Sequence, residues 1–150
     1  MDGTQTQPWW IGEEVTEGPW KGWRNYTVDP FEDMCGPFYY RHEPDGSVVA
    51  AFRLEKKHIN GGGAMHGGLM LTFADYAIFV IAGKALEGVG SVTASLNGDF
   101  IDAAYEGELI EARGQVVRNG GSLVFLQGLV TAEGRPILAY SAIIKKIRPR

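Results

Sequence analysis

The stretch with the most chemical content is Asn60-Gly61-Gly62-Gly63-Ala64-Met65-His66-Gly67-Gly68, followed by Asp75. Glycines running into a helix leave its first backbone N–H groups free and let a ligand approach the main chain. The helix dipole adds partial positive charge there, so such an end can hold an anion or an oxyanion developing on a carbonyl. Asn60 and His66 stand beside it as hydrogen-bonding side chains. Asp75 is the second element. On a helical wheel its neighbours are Leu71, Phe79, Ala82 and Leu86, an apolar surround in which an unpaired carboxylate is costly and its pKa rises. That suits a general base or a nucleophile. The plain alternative is a solvated charge on a wet helix edge near Thr72 and Tyr76.

Other chemistries find less support. The loop lacks the lysine of GxxxxGK[ST] and does not follow GxGxxG. No GxSxG elbow is present. His42 and His58 show no ligand spacing with His66, so no metal is expected. Cys35, the single cysteine, excludes an internal disulfide and reads as a small apolar residue rather than a nucleophile.

These residues need elements to position them. Gly67 to Leu86 reads as one long helix, with Leu69, Phe73, Ala77 and Val80 on one face and Met70, Ala74, Ile78 and Ile81 covering much of the rest. A helix apolar on most sides is a buried one. Glu87-Gly88-Val89-Gly90 ends it. Ahead of it, Pro37–Arg41 and Ser47–Leu54 form a hairpin around Pro44-Asp45-Gly46. After it come four strands, Ser91–Ile101, Glu108–Arg118, Ser122–Ala132 and Ile137–Ile147, with turns at Asn119-Gly120-Gly121 and Glu133-Gly134-Arg135-Pro136. One buried helix with about five or six antiparallel strands predicts an α+β fold, the sheet wrapped around the helix. Residues 1–35 form an extension that holds all four tryptophans (Trp9, Trp10, Trp20, Trp23) and is expected to pack on the core or on a partner subunit. Residues 36–150 are expected to form a single domain.

Composition sets the outer bounds. At 150 residues, 45% apolar and 21% charged, the chain is an ordinary globular domain. Its 21 glycines are about double the usual share and show no period. A net charge of −4 offers no electrostatic footprint for nucleic acid. The longest apolar run, residues 67–86, is interrupted by Thr72, Asp75, Gly83 and Lys84, so no membrane span is expected. The first ten residues lack a targeting pattern, and a cytoplasmic location is the expectation.

Asn60-x-x-Gly63-x-x-His66-Gly67-Gly68, with Asp75 nine positions after the histidine, resembles the signature of hotdog-fold acyl-CoA thioesterases of the phenylacetate-degradation (PaaI-like) type. Val92–Asn97, Glu106-Gly107-Glu108 and Arg118–Ser122 resemble that family's later strand and turns. The resemblance covers about residues 36–147. It implies a curved antiparallel sheet around one central helix and hydrolysis of an acyl-CoA thioester. The Gly67 N–H and Asn60 would polarise the thioester carbonyl, and His66 would shape the loop. Asp75, supplied by the other subunit of a dimer, would act as general base or nucleophile, with Thr93 helping it hold water. Gly68, Arg118 and Ser122 are the implied substrate-binding residues, and Arg53, Lys56 and Lys57 are further candidates for the coenzyme A phosphates. Coenzyme A is part of the substrate, so no cofactor is expected. A homodimer or homotetramer is expected.

The sequence departs from the family pattern at Gly98-Asp99, which interrupts a strand, and at Asp102-Ala103-Ala104, which lacks a proline common at that bend. Rival readings are an acyl-CoA-binding hotdog protein without catalysis, a hotdog hydratase or dehydratase, and a structural protein that uses its tryptophans as an interaction surface.

Overall fold

The computed structural model describes residues 11–147. Two short strands, β1 (Glu13–Glu14) and β2 (Arg24–Asn25), precede a six-residue helix, α1 (Pro30–Cys35). The hairpin β3 (Tyr39–His42) and β4 (Val48–Arg53) leads to the long helix α2 (Gly67–Ile81). Four long strands follow: β5 (Gly90–Phe100), β6 (Leu109–Asn119), β7 (Leu123–Ala132) and β8 (Arg135–Ile147). All eight strands form one antiparallel sheet in the order β1-β2-β3-β4-β6-β7-β8-β5. α2 packs against β4, β5, β6, β7 and β8, burying Phe73, Tyr76 and Ile78 against Phe52, Ile110, Leu138 and Ile144.

The sheet therefore has eight strands rather than five or six. The additional pairs are the two-residue β1 and β2, which come from the proline- and glycine-rich segment before residue 36, where no alternating pattern marks a strand. There Trp20 stacks on Tyr39 with ring centroids 4.3 Å apart, and the Arg41 guanidinium lies 4.4 Å over the Trp23 ring. Trp9 and Trp10 lie outside the described residues. The helix also ends earlier than its apolar run. Ala82 leaves helical geometry at φ −84°, ψ 5°, and Gly83–Leu86 continues as a 3-10 turn. Gly83 has the low helix propensity that makes this break inexpensive. β8 begins at Arg135, because Glu133 (φ +48°) and Gly134 (φ +82°) alone make the turn, both in the left-handed region that two-residue hairpins require.

One row of residues across the sheet explains three glycines. Gly98, Tyr140, Gly128 and Gly114 are direct neighbours on β5, β8, β7 and β6. Tyr140 lies over Gly128 and Gly114 and donates its hydroxyl to the Arg113 carbonyl at 2.9 Å. At Gly98 a Cβ would come within 2.9 Å of both Leu71 and Leu138 methyls, so that break in the strand pattern makes room for the helix. At Gly128 a Cβ would collide with the Arg113 carbonyl and the Tyr140 ring, and a backbone carbonyl cannot swing away. Gly128→Ala is expected to cost about 3 kcal/mol, the upper range for overpacking, read as a lower urea midpoint at an unchanged m-value.

Candidate active site

The loop before α2 is shaped by its own side chains. Asn60 N–H donates to the Ala64 carbonyl (2.7 Å), and Gly63, at φ +90°, donates to the Asn60 carbonyl (3.1 Å). Asn60 Oδ1 accepts from Gly62 N–H (2.8 Å) and Ala64 N–H (3.2 Å). With its oxygen engaged, the exposed Asn60 side chain has its amide N–H groups to offer. The loop is pinned at its end by Met65 N–H to the Ala104 carbonyl (2.8 Å) and by His66 N–H to the His58 carbonyl (2.9 Å).

His66 is the N-cap of α2. Its Nδ1 accepts from Gly68 N–H at 2.9 Å, which places the proton of the neutral ring on Nε2. The His66 carbonyl accepts from Leu69 N–H (2.9 Å) and Met70 N–H (3.2 Å). The first four N–H groups of a helix have no intrahelical partner and need one from elsewhere. Here Gly68, Leu69 and Met70 have theirs, and the Gly67 N–H has no acceptor among the described residues. The Phe100 ring lies against Gly67, and a Cβ there would sit 3.2 Å from it.

Asp75 and Thr93 come together through a hydrogen bond of 2.6 Å, Thr93 Oγ1 donating to Asp75 Oδ1. Burial pushes the Asp75 carboxyl above the usual range, the Thr93 hydroxyl opposes that shift, and the charge of Asp29 adds to it. Thr93 thus favours the ionised carboxylate, and Thr93→Val removes that support. For a reaction that needs Asp75 ionised, the acidic limb of the pH–rate profile is expected to move to higher pH by about one unit, the worth of one hydrogen bond. An acidic limb that stays in place, or moves down, would remove Thr93 from the site.

The predicted residues therefore fall into two groups within one chain. Asn60, His66, Gly67 and Gly68 gather at the start of α2. Asp75 lies eight residues further along, about 12 Å at the helical rise per residue, and pairs with Thr93 near the opposite end of β5 from Phe100. Arg118 and Ser122 are exposed at the β6–β7 turn. They are near the Thr93 end of the sheet, because Leu123 pairs with Lys145 and Lys145 with Val92. The Arg53 guanidinium donates to the Gly107 carbonyl at 3.0 Å. The Lys57 ammonium donates to the carbonyls of Met34 and Gly36.

Sequence reasoning read the segment of α1 as part of an irregular extension or short helical turns that could lid the site or bridge subunits, without the contacts α1 makes. Asp29 caps it by accepting from Glu32 N–H at 2.9 Å. Tyr26 donates its hydroxyl to Glu32 at 2.8 Å. Burial pushes the Glu32 carboxyl up to about 7, against the pull of that bond and with the charges of Asp29 and Asp75 adding to the rise. His58, buried, accepts from Glu55 N–H on Nδ1 (2.9 Å) and so donates from Nε2 to the Cys35 carbonyl (2.6 Å). A signal for α1 was present: Asp29-Pro30 followed by Glu32-Asp33 is a complete helix start.

No helix of the described residues is long and apolar enough to cross a membrane. The family model of the thioesterase superfamily matches residues 62–139. The chain belongs to that superfamily, and its architecture is the hotdog type, an antiparallel sheet with one long helix. A Pseudomonas aeruginosa protein named as an esterase is 30% identical over 79% of this chain and 89% of its own length. Human acyl-coenzyme A thioesterase 13 is 26% identical over 70% of this chain and 81% of its own. The PaaI protein of the Escherichia coli phenylacetic acid degradation operon shares the fold, with a TM-score of 0.71 at 17% identity over 81% of this chain and 86% of its own.

Proposed function

We propose that the protein hydrolyses acyl-CoA thioesters to a free carboxylic acid and coenzyme A, in sites completed by a second copy of the chain. The observation that carries this reading is the Gly67 N–H, the donor of the first turn of α2 with no acceptor among the described residues, at the end of a loop that Asn60 shapes through its Oδ1 while its amide N–H groups remain to donate. Together they would hold the thioester oxygen and, more tightly, the oxyanion that replaces it. Asp75 then takes a proton from water as the water oxygen bonds to the carbonyl carbon. The tetrahedral oxyanion collapses, the C–S bond breaks, and the coenzyme A sulfur leaves with the proton that Asp75 took from water, which restores the carboxylate. The raised pKa of Asp75 suits a general base. The human relative's name supports coenzyme A as the carrier. Coenzyme A leaves as product, so the reaction needs no separate cofactor.

Distance argues for the second copy. A carboxylate about 12 Å from the carbonyl donors along one helix cannot deliver water to the same carbonyl. β5 ends the sheet, so its outer edge is open to a neighbour. Antiparallel pairing of two β5 edges about a twofold axis between Leu96 and Asn97 would set Thr93 of one copy opposite Phe100 of the other. Phe100 touches Gly67, and Thr93 holds Asp75. That register brings Asp75 of the partner subunit to the loop. Arg118 and Ser122, near the Thr93 end, would meet the coenzyme A moiety from the Asp75 side. A homodimer, or a homotetramer built from it, is the expected assembly.

The test is free-thiol release from a panel of acyl-CoAs by wild type and by Asp75→Ala. Release by wild type that collapses in the variant is expected. Binding of acyl-CoA without release, or hydration of crotonyl-CoA in its place, would overturn the reading. A fully active monomer by light scattering would overturn the shared site.

A further inference from the structure

Two large apolar side chains of α1 stand exposed, Phe31 at 56% and Met34 at 66%. They do not face open solvent alone. With Ile59, Leu69, Thr72 and His66 they line a cavity of about 540 Å³ between α1 and the first turns of α2. That size falls in the range of small-molecule sites. The cavity reaches His66 and Gly68, the residues on either side of Gly67 in the chain. An acyl group whose carbonyl sat at the start of α2 would have this apolar space within reach.

α1 is held as a wall rather than hung as a flap. Asp29 caps its start, and Tyr26 anchors Glu32 in its middle. At its end, His58 donates to the Cys35 carbonyl and Lys57 to those of Met34 and Gly36. His58 and Lys57 sit just ahead of the glycine loop, and the His58 carbonyl receives the His66 N–H. His58 thus bonds both α1 and the end of the loop.

We infer that α1 forms the outer wall of the acyl-group pocket, with Phe31 and Met34 selecting which apolar acyl groups the enzyme accepts. The inference rests on the proposed thioesterase reading for its ligand, an aliphatic chain or an aryl ring carried as a thioester. The Phe31 ring and the flexible Met34 thioether offer contact to either, and the two arms of the test separate them.

The experiment measures binding and turnover separately. Affinities of free coenzyme A, butyryl-CoA, dodecanoyl-CoA and phenylacetyl-CoA are measured by calorimetry in an Asp75→Ala background, where turnover does not interfere. The same panel is then run for kcat/KM in the wild-type background. Phe31→Ala and Met34→Ala are expected to cut the gain of the preferred acyl-CoA over free coenzyme A about tenfold, the scale of a few lost methylene contacts. Met34→Trp is expected to invert the preference toward butyryl-CoA. Because both side chains are largely exposed, the melting temperature is expected to stay within a degree or two. Which acyl-CoA loses most tells chain from ring. Stably folded variants with an unchanged acyl gain would overturn the inference, as would a Met34→Ser variant that dissociates the oligomer with its acyl preference intact. Absence of thiol release with the acyl gain present and α1-dependent would instead sink the hydrolase reading and leave the pocket standing.

Discussion

Asp75→Asn is expected to lower kcat for thioester hydrolysis by about 10³-fold, the range for losing a positioned general base. Asparagine keeps the size and the bond to Thr93 but cannot accept a proton from water. KM is expected to change little, because the carbonyl is held by the Gly67 N–H and Asn60 at the other end of the shared site. The loss should therefore fall on kcat, as for a group that acts in the transition state. The fold should not suffer. Burial raises the Asp75 pKa above its unfolded value, so its contribution to stability is present at low pH and is lost as pH rises through the folded pKa. At neutral pH the ionised carboxylate is a burden on the native state. Asp75→Asn is thus expected to unfold at the same or a higher urea concentration at pH 7.5, with a flatter pH dependence than wild type. An unchanged kcat in the folded variant would remove Asp75 from the mechanism. A large fall in both kcat and the urea midpoint would assign it to structure alone.

The fold core was legible in the sequence for identifiable reasons, and so were the residues of the two halves of the candidate site. The β3–β4 hairpin follows from Pro44-Asp45-Gly46, where Gly46 takes φ +87° and Asp45 accepts from both Ser47 N–H and its hydroxyl. The buried helix follows from an apolar run too long for a strand. Asp75 stood out because a carboxylate among Leu71, Phe79 and Leu86 needs an explanation. What escaped depends on contacts between residues far apart in the chain. β1 and β2 are two residues each, with no room for an alternating pattern, and join the sheet through contacts such as Arg24 opposite Tyr40 and Asn25 donating to the Phe38 carbonyl. Gly98 looked like a fault in a strand until Leu71 and Leu138 were seen to occupy its missing side-chain volume. Lys57 read as a phosphate ligand, since sequence reveals the charge and not the carbonyls of Met34 and Gly36 that receive it. His58 was set aside for want of a ligand partner, yet its Nε2 holds the Cys35 carbonyl at the end of α1 and its own carbonyl holds the His66 N–H, backbone groups that no residue-type pattern encodes.

Asn60→Ala is expected to lower kcat by about 10²-fold or more, the cost of removing one oxyanion donor. The direct part is the lost side-chain N–H. An indirect part comes from Asn60 Oδ1, which holds Gly62 and Ala64 and so the shape of the loop that presents Gly67. Asn60→Asp separates the two, because its carboxylate can still accept from Gly62 and Ala64 but cannot donate to a carbonyl. If Asn60 acts by donation, both variants lose kcat alike. If it acts only by shaping the loop, Asn60→Asp retains activity. The pair Asn60→Ala and Asp75→Asn then tests the shared site. Each homodimer lacks one component in both of its sites. In a mixed dimer, the loop of the Asp75→Asn chain meets the intact carboxylate of the Asn60→Ala chain, so one site of the two is whole. Equal mixing with full subunit exchange is expected to restore about a quarter of wild-type activity, since half the dimers are mixed and each carries one working site. Neither variant alone approaches that value. A mixture no more active than its components, with exchange verified by mass spectrometry, would place Asn60 and Asp75 in separate roles and require a different base for the water.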